Sequence, residues 1–399
     1  MMDIGRVQSE LEAVKAHVLE VRRYFHEHPS PSGKEEGAAL FVEKEAEYLG
    51  LAHYRYADYG VVATLEGARP GPTICLRADY DALTMQEAAE NLAGKKEYVS
   101  KESGLCHACG HDGHVAMALG AMRVLCALKE QLAGRVVFLF ESGEERGGLT
   151  KDGVREALRR EKVETCFAIH LDAALPTGAC NVEPGARLMG AASIGATLRG
   201  RGGHGSRPDE AVNPINAVSQ IVCALQGIIP NCVTPGECAV LSVGVIEGGT
   251  VRNIIPETAS FAGSTRFLSP EVGAVVLERV SALVCGVAAA EGCEVESLTA
   301  KVDLPVTVND ETACATAKAA VTKLIGAQAL VAREPWMGSE SFGYCLEVAP
   351  GAMLFLGIAN PEKGSGAAHH NPRFDLDEDA LAVGVAAEVG YVLACMSLL

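Results

Sequence analysis

Cys109, His111, Glu145, His170 and His370 are side chains of metal-binding type, and Glu144 is a spare carboxylate beside one of them. Three groups follow apolar, strand-like segments: Asp79 and Asp81 after 73–77, Glu144 and Glu145 after 135–140, and His170 after 165–169. Cys109 and His111 stand in a Gly-rich turn before a long helix, and His370 lies beyond the strand-like stretch 352–358. In an open α/β sheet, ligands collect in the crevice at the carboxyl ends of the strands, so residues distant in sequence converge there. A thiolate together with imidazoles suits zinc or a similar transition metal. About five protein ligands, one of them shared, hold two ions ~3.5–4 Å apart, which polarise a carbonyl and generate hydroxide at neutral pH. The chemistry these residue types point to is metal-assisted hydrolysis.

Each group also has a plainer reading. Cys106 and Cys109 form a Cys-x-x-Cys, but a structural zinc site needs a second ligand pair at suitable spacing, and none follows. Two residues apart on a helix, Cys109 and His111 would diverge; in an extended turn with Gly110 between them, both can aim at one point. Cys106, His107 and His114 read as packing or supporting groups, and Asp112 as a cap for the helix that follows. Surface carboxylate pairs are usually solvated, yet Glu144-Glu145 stands at a strand end near two other ligand clusters. Adjacent side chains diverge, so Glu145 is assigned as ligand and Glu144 as the base that takes a proton from water. Asp79 and Asp81 have the alternate spacing that sends both carboxylates to one side of an extended segment, and Asp81 reads as the one that orients a ligand. His170 and the pair His369-His370 are weak considered singly, and either of the latter two could serve; their value lies in completing a five-ligand set.

The elements that must position these groups follow from periodicity. Helix-spaced apolar residues run over 6–27 and 35–49, and strand and helix signals then alternate: 59–66, 73–77, helix 114–131, 135–140, helix 152–161 and 165–169. That alternation predicts an α/β fold with a mainly parallel sheet covered by helices. From about Pro184 the order becomes strand 192–199, helix 211–228, strands 239–245 and 259–267, helix 270–290 and strand 293–299, the βαββαβ pattern of a ferredoxin-like α+β domain. Signals of the first kind resume after Asp310. The expected organisation is a catalytic domain over 1–186 and 304–399, interrupted by an inserted domain over 187–303.

Composition narrows the classes. Apolar residues make up 48% of the chain, ample for real cores, and the formal net charge of −17 opposes non-specific binding to nucleic acid. The start of the chain alternates charged and apolar residues, and no apolar run approaches a membrane span, so the expectation is a soluble, cytoplasmic protein without membrane partners. The fourteen cysteines are scattered through apolar stretches, where a reduced thiol packs as a small hydrophobe.

Several strings, in order from about residue 20 to 385, carry a resemblance: Arg22-Arg23-Tyr24-Phe25-His26-Glu27-His28-Pro29, Arg77-Ala78-Asp79-Tyr80-Asp81-Ala82-Leu83, His107-Ala108-Cys109-Gly110-His111-Asp112-Gly113-His114, Glu144-Glu145, Arg201-Gly202-Gly203-His204, Asn253 to Thr258, and Gly338-Ser339-Glu340. The chain resembles the metal-dependent amidohydrolases that include hippurate hydrolase and the indole-acetyl-amino-acid hydrolases, a branch of the aminoacylase and carboxypeptidase superfamily. The resemblance implies two divalent ions per subunit (Zn, Mn or Co) on Cys109, His111, Glu145, His170 and His370, with Cys109 bridging, Glu144 as base and Asp81 as the orienting carboxylate. It implies that the inserted domain is a lid that also mediates a homodimer, a homotetramer being the alternative. It further implies that His204 reaches the active site of the partner subunit and stabilises the tetrahedral oxyanion there, and that Asn253, Arg266, Ser339 and Glu340 contact substrate. The implied substrate is a small N-acyl or aromatic-acyl amino acid, with a dipeptidase or N-acetyl-amino-acid deacetylase as the alternative. A thiol-redox or binding protein using Cys106 and Cys109 has no need of a general base. The chain departs from the usual pattern at Thr84 (commonly Pro), Ser341 (commonly Asp) and Asn371 (commonly Ser); none is a candidate ligand.

Overall fold

A computed structural model describes residues 2–399 and divides the chain into two compact units. The first comprises the residues up to Gly185 with Val308–Glu334 and Ser341–Leu399; the second is Ala186–Thr307 with Pro335–Glu340. The short return of 335–340 to the second unit has no counterpart in a single insertion over 187–303.

The first unit is built on a seven-stranded sheet ordered Ala52–Tyr56, Gly60–Glu66, Ala133–Glu141, Arg69–Asp79, Thr165–Pro176, Gly351–Ala359, Cys180–Asn181. The α/β expectation holds, but the sheet is mixed: the four strands from Ala133–Glu141 to Gly351–Ala359 are parallel, and the flanking pairings are antiparallel. The reason is local. Ala52–Tyr56 and Gly60–Glu66 are joined by Ala57, Asp58 and Tyr59, the first two at positive φ, into a hairpin that enters the sheet from its edge. The parallel strands are buried over their central stretches, Arg69–Asp79 from Ile74 onward, as expected of strands covered on both faces by helices. Helices Ile4–Glu27, His111–Ala127 and Asp379–Cys395 pack together over a core that includes Phe25, Leu119, Phe138 and Leu354. Asp3 caps the first of these helices by accepting from the Gly5 N–H.

The second unit has the order strand Gly190–Arg199, helix Pro214–Leu225, strands Ala239–Gly248 and Thr258–Phe267, helix Pro270–Ala290, strand Glu294–Leu304. Its four strands form an antiparallel sheet in which Thr258–Phe267 and Gly190–Arg199 are central. Pro270–Ala290 corrects the sequence reading on apolar length, because it is long and apolar enough by length and composition to cross a membrane. Here its buried residues Val276, Val280, Val284 and Ala288, one turn apart, join the core of the βαββαβ unit beside Phe261 and Ile194.

Candidate metal centre

The segment carrying Cys109 is held from both sides. Leu83 and Cys106 exchange backbone hydrogen bonds, and the His370 N–H donates to the Ala108 carbonyl at 2.9 Å. Gly110 then turns the chain in the left-handed region (φ 90°), where any larger residue would be strained and a Cβ would meet Leu171 Cδ1 at 3.0 Å. His111 opens the helix, so the thiol and the imidazole are presented from a turn and a first helical residue. His370 is itself at φ 59°, a conformation uncommon for a non-glycine residue and found where function over-determines the backbone.

Ligand atoms of Cys109, His111 and His170 lie within 4.8 Å of one another, and so do those of Cys109, Glu145 and His370. The Cys109 thiol belongs to both triads. Three further observations prepare these atoms for cations. His111 donates from Nδ1 to the Asp81 carbonyl (3.0 Å) and Oδ1 (3.1 Å), and its Nε2 is buried with no hydrogen-bond partner. His170 donates from Nδ1 to the Leu171 carbonyl at 2.7 Å, which turns the lone pair of Nε2 toward Cys109 Sγ at 3.8 Å. Glu145 Oε1 is buried 3.3 Å from His370 Nε2, with which it pairs, and 3.9 Å from His111 Nε2. A buried polar atom left without a partner, as His111 Nε2 is, calls for an explanation, and an ion is one. Burial, with Glu145 adding to it, pushes the Cys109 thiol well above the ordinary range, so a thiolate there needs positive charge beside it. Burial and the neighbouring His114 and His369 keep His170 neutral, the state in which an imidazole can ligate. The donor set fits two transition-metal ions that share Cys109.

The supporting groups are equally specific. Asp81 Oδ2 accepts from Ser32 Oγ at 2.6 Å and from the Glu145 N–H at 3.0 Å, so one carboxylate fixes both His111 and the Glu145 backbone. Burial opposes ionisation of Asp81, but the bond with His111 outweighs it and holds the carboxyl below its ordinary value. Glu144 is buried, its Oε1 accepts from the Ser341 N–H at 3.0 Å, and its carboxylate lies within 4.8 Å of the ligand atoms of His111 and Glu145.

Several details differ from the sequence reading. His170 is not past a strand end: Thr165–Pro176 continues through it, because its parallel neighbour Gly351–Ala359 keeps pairing, His170 opposite Phe355 and Leu171 opposite Leu356. Asp112 is not the cap, a position held by Gly110; its Oδ2 instead meets Arg22 Nε (3.1 Å) and His26 Nδ1 (2.8 Å). Between the two neighbouring histidines, His370 reaches Glu145, whereas His369 Nε2 accepts from the Ala173 N–H at 3.3 Å, and burial lowers its pKa to about 3. His114 accepts from the Leu171 N–H on Nε2 and donates from Nδ1 to Asp79 Oδ1 at 2.6 Å, giving Asp79 a definite place. Sequence reasoning missed Arg77. Its guanidinium, buried within a strand, binds Glu141 (2.8 Å), Asp79 (2.8 Å) and Ser341 Oγ (2.7 Å).

The remaining sequence candidates belong to the second unit. His204 pairs with Ile254 across a two-residue ladder, and its Nδ1 accepts from the Ser206 Oγ at 2.7 Å. Asn253 precedes that ladder, and its carbonyl accepts from the Gly205 N–H. Arg266 is half-buried on Thr258–Phe267, opposite Val240. Ser339 Oγ is buried without a hydrogen-bond partner, and Glu340 is buried in the segment that pairs back near Leu188.

Comparison with known proteins bears on the whole chain. It is 32% identical over 393 residues to thermostable carboxypeptidase 2 of Saccharolobus solfataricus, covering 96% of each chain. It is 35% identical over 375 residues to the IAA-amino acid hydrolase ILR1-like 2 of Arabidopsis thaliana, covering 92% of this chain and 83% of the relative. Among solved structures, Bacillus subtilis YXEP, described as a dinuclear metal-binding peptidase of the M20 family, superposes with a TM-score of 0.81 at 28% identity, covering 97% of this chain and 100% of that one. The profile of Peptidase family M20/M25/M40 matches residues 75–394, and the chain belongs to that family.

Proposed function

We propose that the protein hydrolyses the amide bond of N-acyl or aromatic-acyl amino acids, releasing a carboxylic acid and a free amino acid. The observation that carries this reading is the pair of ligand triads sharing Cys109, with a buried carboxylate, Glu144, beside them. Relatives named for hydrolysis of IAA-amino acids and for carboxypeptidase activity support the substrate class, and YXEP supports a dinuclear centre.

In the proposed mechanism two divalent ions (Zn, Mn or Co) would be held by Cys109, His111, His170, Glu145 and His370, with Cys109 the group common to both ligand triads. The ions, when bound, supply Lewis acidity toward the amide carbonyl and toward water. Asp81 sets the tautomer of His111 so that Nε2 faces the centre. Glu144 takes the proton from the attacking water and delivers it to the leaving amine nitrogen. His204 donates to the oxyanion at the centre of the other subunit of the dimer, a contribution worth about 2.7–4 kcal/mol for a well-placed donor. Asn253 and Arg266, with Ser339 and Glu340, contact the substrate, Arg266 through a bidentate pair with a carboxylate.

We infer a homodimer formed through the second unit, with a homotetramer as the alternative. The outer strand Ala239–Gly248 of its sheet exposes Val240, Val245 and Ile246, the features of an edge that pairs with another chain. A cytoplasmic location is supported by fourteen free cysteines. The test of function is turnover of N-benzoyl, N-acetyl and indole-acetyl amino acids and of dipeptides by protein loaded with Mn²⁺, Co²⁺ or Zn²⁺. Cleavage of the N-acyl amino acids is expected; cleavage of dipeptides alone would replace this reading with a dipeptidase, and cleavage of none would end it.

A further inference from the structure

A cavity of about 610 Å³ opens within the first unit directly beside the candidate centre, with Glu145 in its wall. Its floor is apolar, from Pro31, Ala82, Leu83 and Leu105, and two cations, Lys34 and Arg146, stand in its lining. What sets these two cations apart is their place, in one cavity wall beside Glu145. Acidic residues outnumber basic ones, 51 to 34, and several arginines of the unit are bound to carboxylates: Arg23 to Glu378, Arg55 to Glu36 and Glu43, Arg123 to Glu45, Arg155 to Glu347. Among the described residues neither Lys34 nor Arg146 has an ion-pair partner. They also approach one another's segments: a Cβ placed on Gly33, the residue before Lys34, would sit 3.8 Å from Nη1 of Arg146. Arg146 follows Glu145 in the chain, so the short helix Glu144–Arg146 that presents the base and a candidate ligand also presents the guanidinium.

We propose that this cavity is a substrate subsite that binds a carboxylate through Lys34 and Arg146, the apolar floor taking the hydrocarbon part of the same arm. The inference rests on the hydrolase reading and refines its substrate class. A guanidinium in the wall of a cavity beside the candidate centre is matched to a planar anion entering that cavity, and the flanking ammonium adds charge without fixing geometry. Two parts of an N-acyl amino acid can supply that anion: the α-carboxylate of the amino acid, or an acidic terminus on the acyl group.

Three substrates sharing one amino acid separate these sources: an N-benzoyl amino acid, its α-carboxamide, and the N-glutaryl derivative of that carboxamide, in which the only carboxylate is on the acyl end. Each is assayed with metal-loaded wild type and with the double variant Lys34→Gln, Arg146→Gln. The expected result is that one preference ratio in kcat/KM, acid over matching neutral compound, falls tenfold or more in the variant and that the loss shrinks at high salt. Collapse of the benzoyl pair places the α-carboxylate in the cavity and takes it from Arg266; collapse of the glutaryl preference places the acyl terminus there and leaves the α-carboxylate to Arg266. If both ratios are unchanged, the subsite is overturned. Should wild type cleave none of the three, the hydrolase reading is what fails. The subsite is then decided by calorimetric titration with glutarate and with hippurate: weaker binding of either to the double variant supports it, and equal binding of both removes it.

Discussion

The backbone N–H of Ser341 donates to Oε1 of Glu144 at 3.0 Å, and the side chain of Ser341 is fixed at the same time between Glu141 Oε1 (2.8 Å) and Arg77 Nη2 (2.7 Å). A residue 197 positions along the chain from the proposed base therefore sets the direction of that base. Arg77 extends the same buried network to Asp79, and Asp79 extends it to His114. Replacing Ser341 by Ala keeps the N–H but frees the loop that aims it and removes a donor from Glu141. Loss of one charge-assisted anchor costs about 1.5–3 kcal/mol, so kcat is expected to fall about ten- to a hundredfold with KM and metal content unchanged. Ser341→Thr, which retains the hydroxyl, restores most of the rate. A rise in KM with kcat intact would show that Ser341 serves substrate binding instead.

Glu144→Gln keeps the shape of the side chain and its bond to the Ser341 N–H but cannot accept a proton. Turnover is expected to fall by at least about 10²–10⁴-fold, the usual weight of a general base. Metal content, read by elemental analysis, stays at two ions per chain. Near-normal kcat would remove Glu144 from the role.

Because Cys109 belongs to both triads while His370 belongs to one, their removal differs in kind. Cys109→Ala is expected to leave less than one ion per chain after dialysis against trace metal, and His370→Ala to leave one. Equal losses would show that Cys109 is not shared.

The gathering of these side chains was legible in the sequence because each stands at the end of an apolar run or in a Gly-rich turn, and parallel strands bring such ends to one edge. The spacing of Asp79 and Asp81 was legible for the same reason: both reach His111, Asp81 at Nδ1 and Asp79 3.7 Å from Nε2. What the sequence concealed lay in partners without periodic signature. Arg77 reads as the charged end of a strand, and only the approach of Ser341 and Glu141 reveals it as a buried hub. His170 was assigned past a strand end because it is the first polar residue after an apolar run; the strand continues since pairing with Gly351–Ala359 supplies its backbone bonds. The mixed sheet was hidden because a hairpin at the edge has the same local pattern as strands of a parallel layer.

Gly110 is a further place where backbone and site meet. A Gly110→Ala variant has to hold a Cβ at φ 90° and 3.0 Å from Leu171 Cδ1. The left-handed conformation costs about 1–2 kcal/mol for a non-glycine residue, and the chain between Cys109 and His111 is where it can relax. The expected result is a folded protein, by circular dichroism, with metal affinity lowered in both triads. Unchanged affinity would show that the turn is not what aims the two ligands.

Away from the centre, Glu87 offers a test of how the first helix is tied down. It accepts from Lys96 Nζ at 2.7 Å and the Ser100 N–H at 2.6 Å, and lies 3.1 Å from His26 Nε2, whose other nitrogen meets Asp112. Burial opposes its ionisation, but the bonds from His26 and Lys96 outweigh that and lower its pKa to about 2. A carboxyl held lower in the folded chain than in the unfolded one binds fewer protons when folded, so its stabilisation is complete above an ordinary carboxyl pKa of about 4.3 and is lost progressively as the pH falls toward 2. Urea unfolding of the metal-free protein is expected to show a smaller loss of stability between pH 6 and pH 3 in Glu87→Gln than in wild type, with the variant the less stable of the two at pH 6. Parallel pH profiles for the two proteins would mean that Glu87 titrates alike in the folded and unfolded chains.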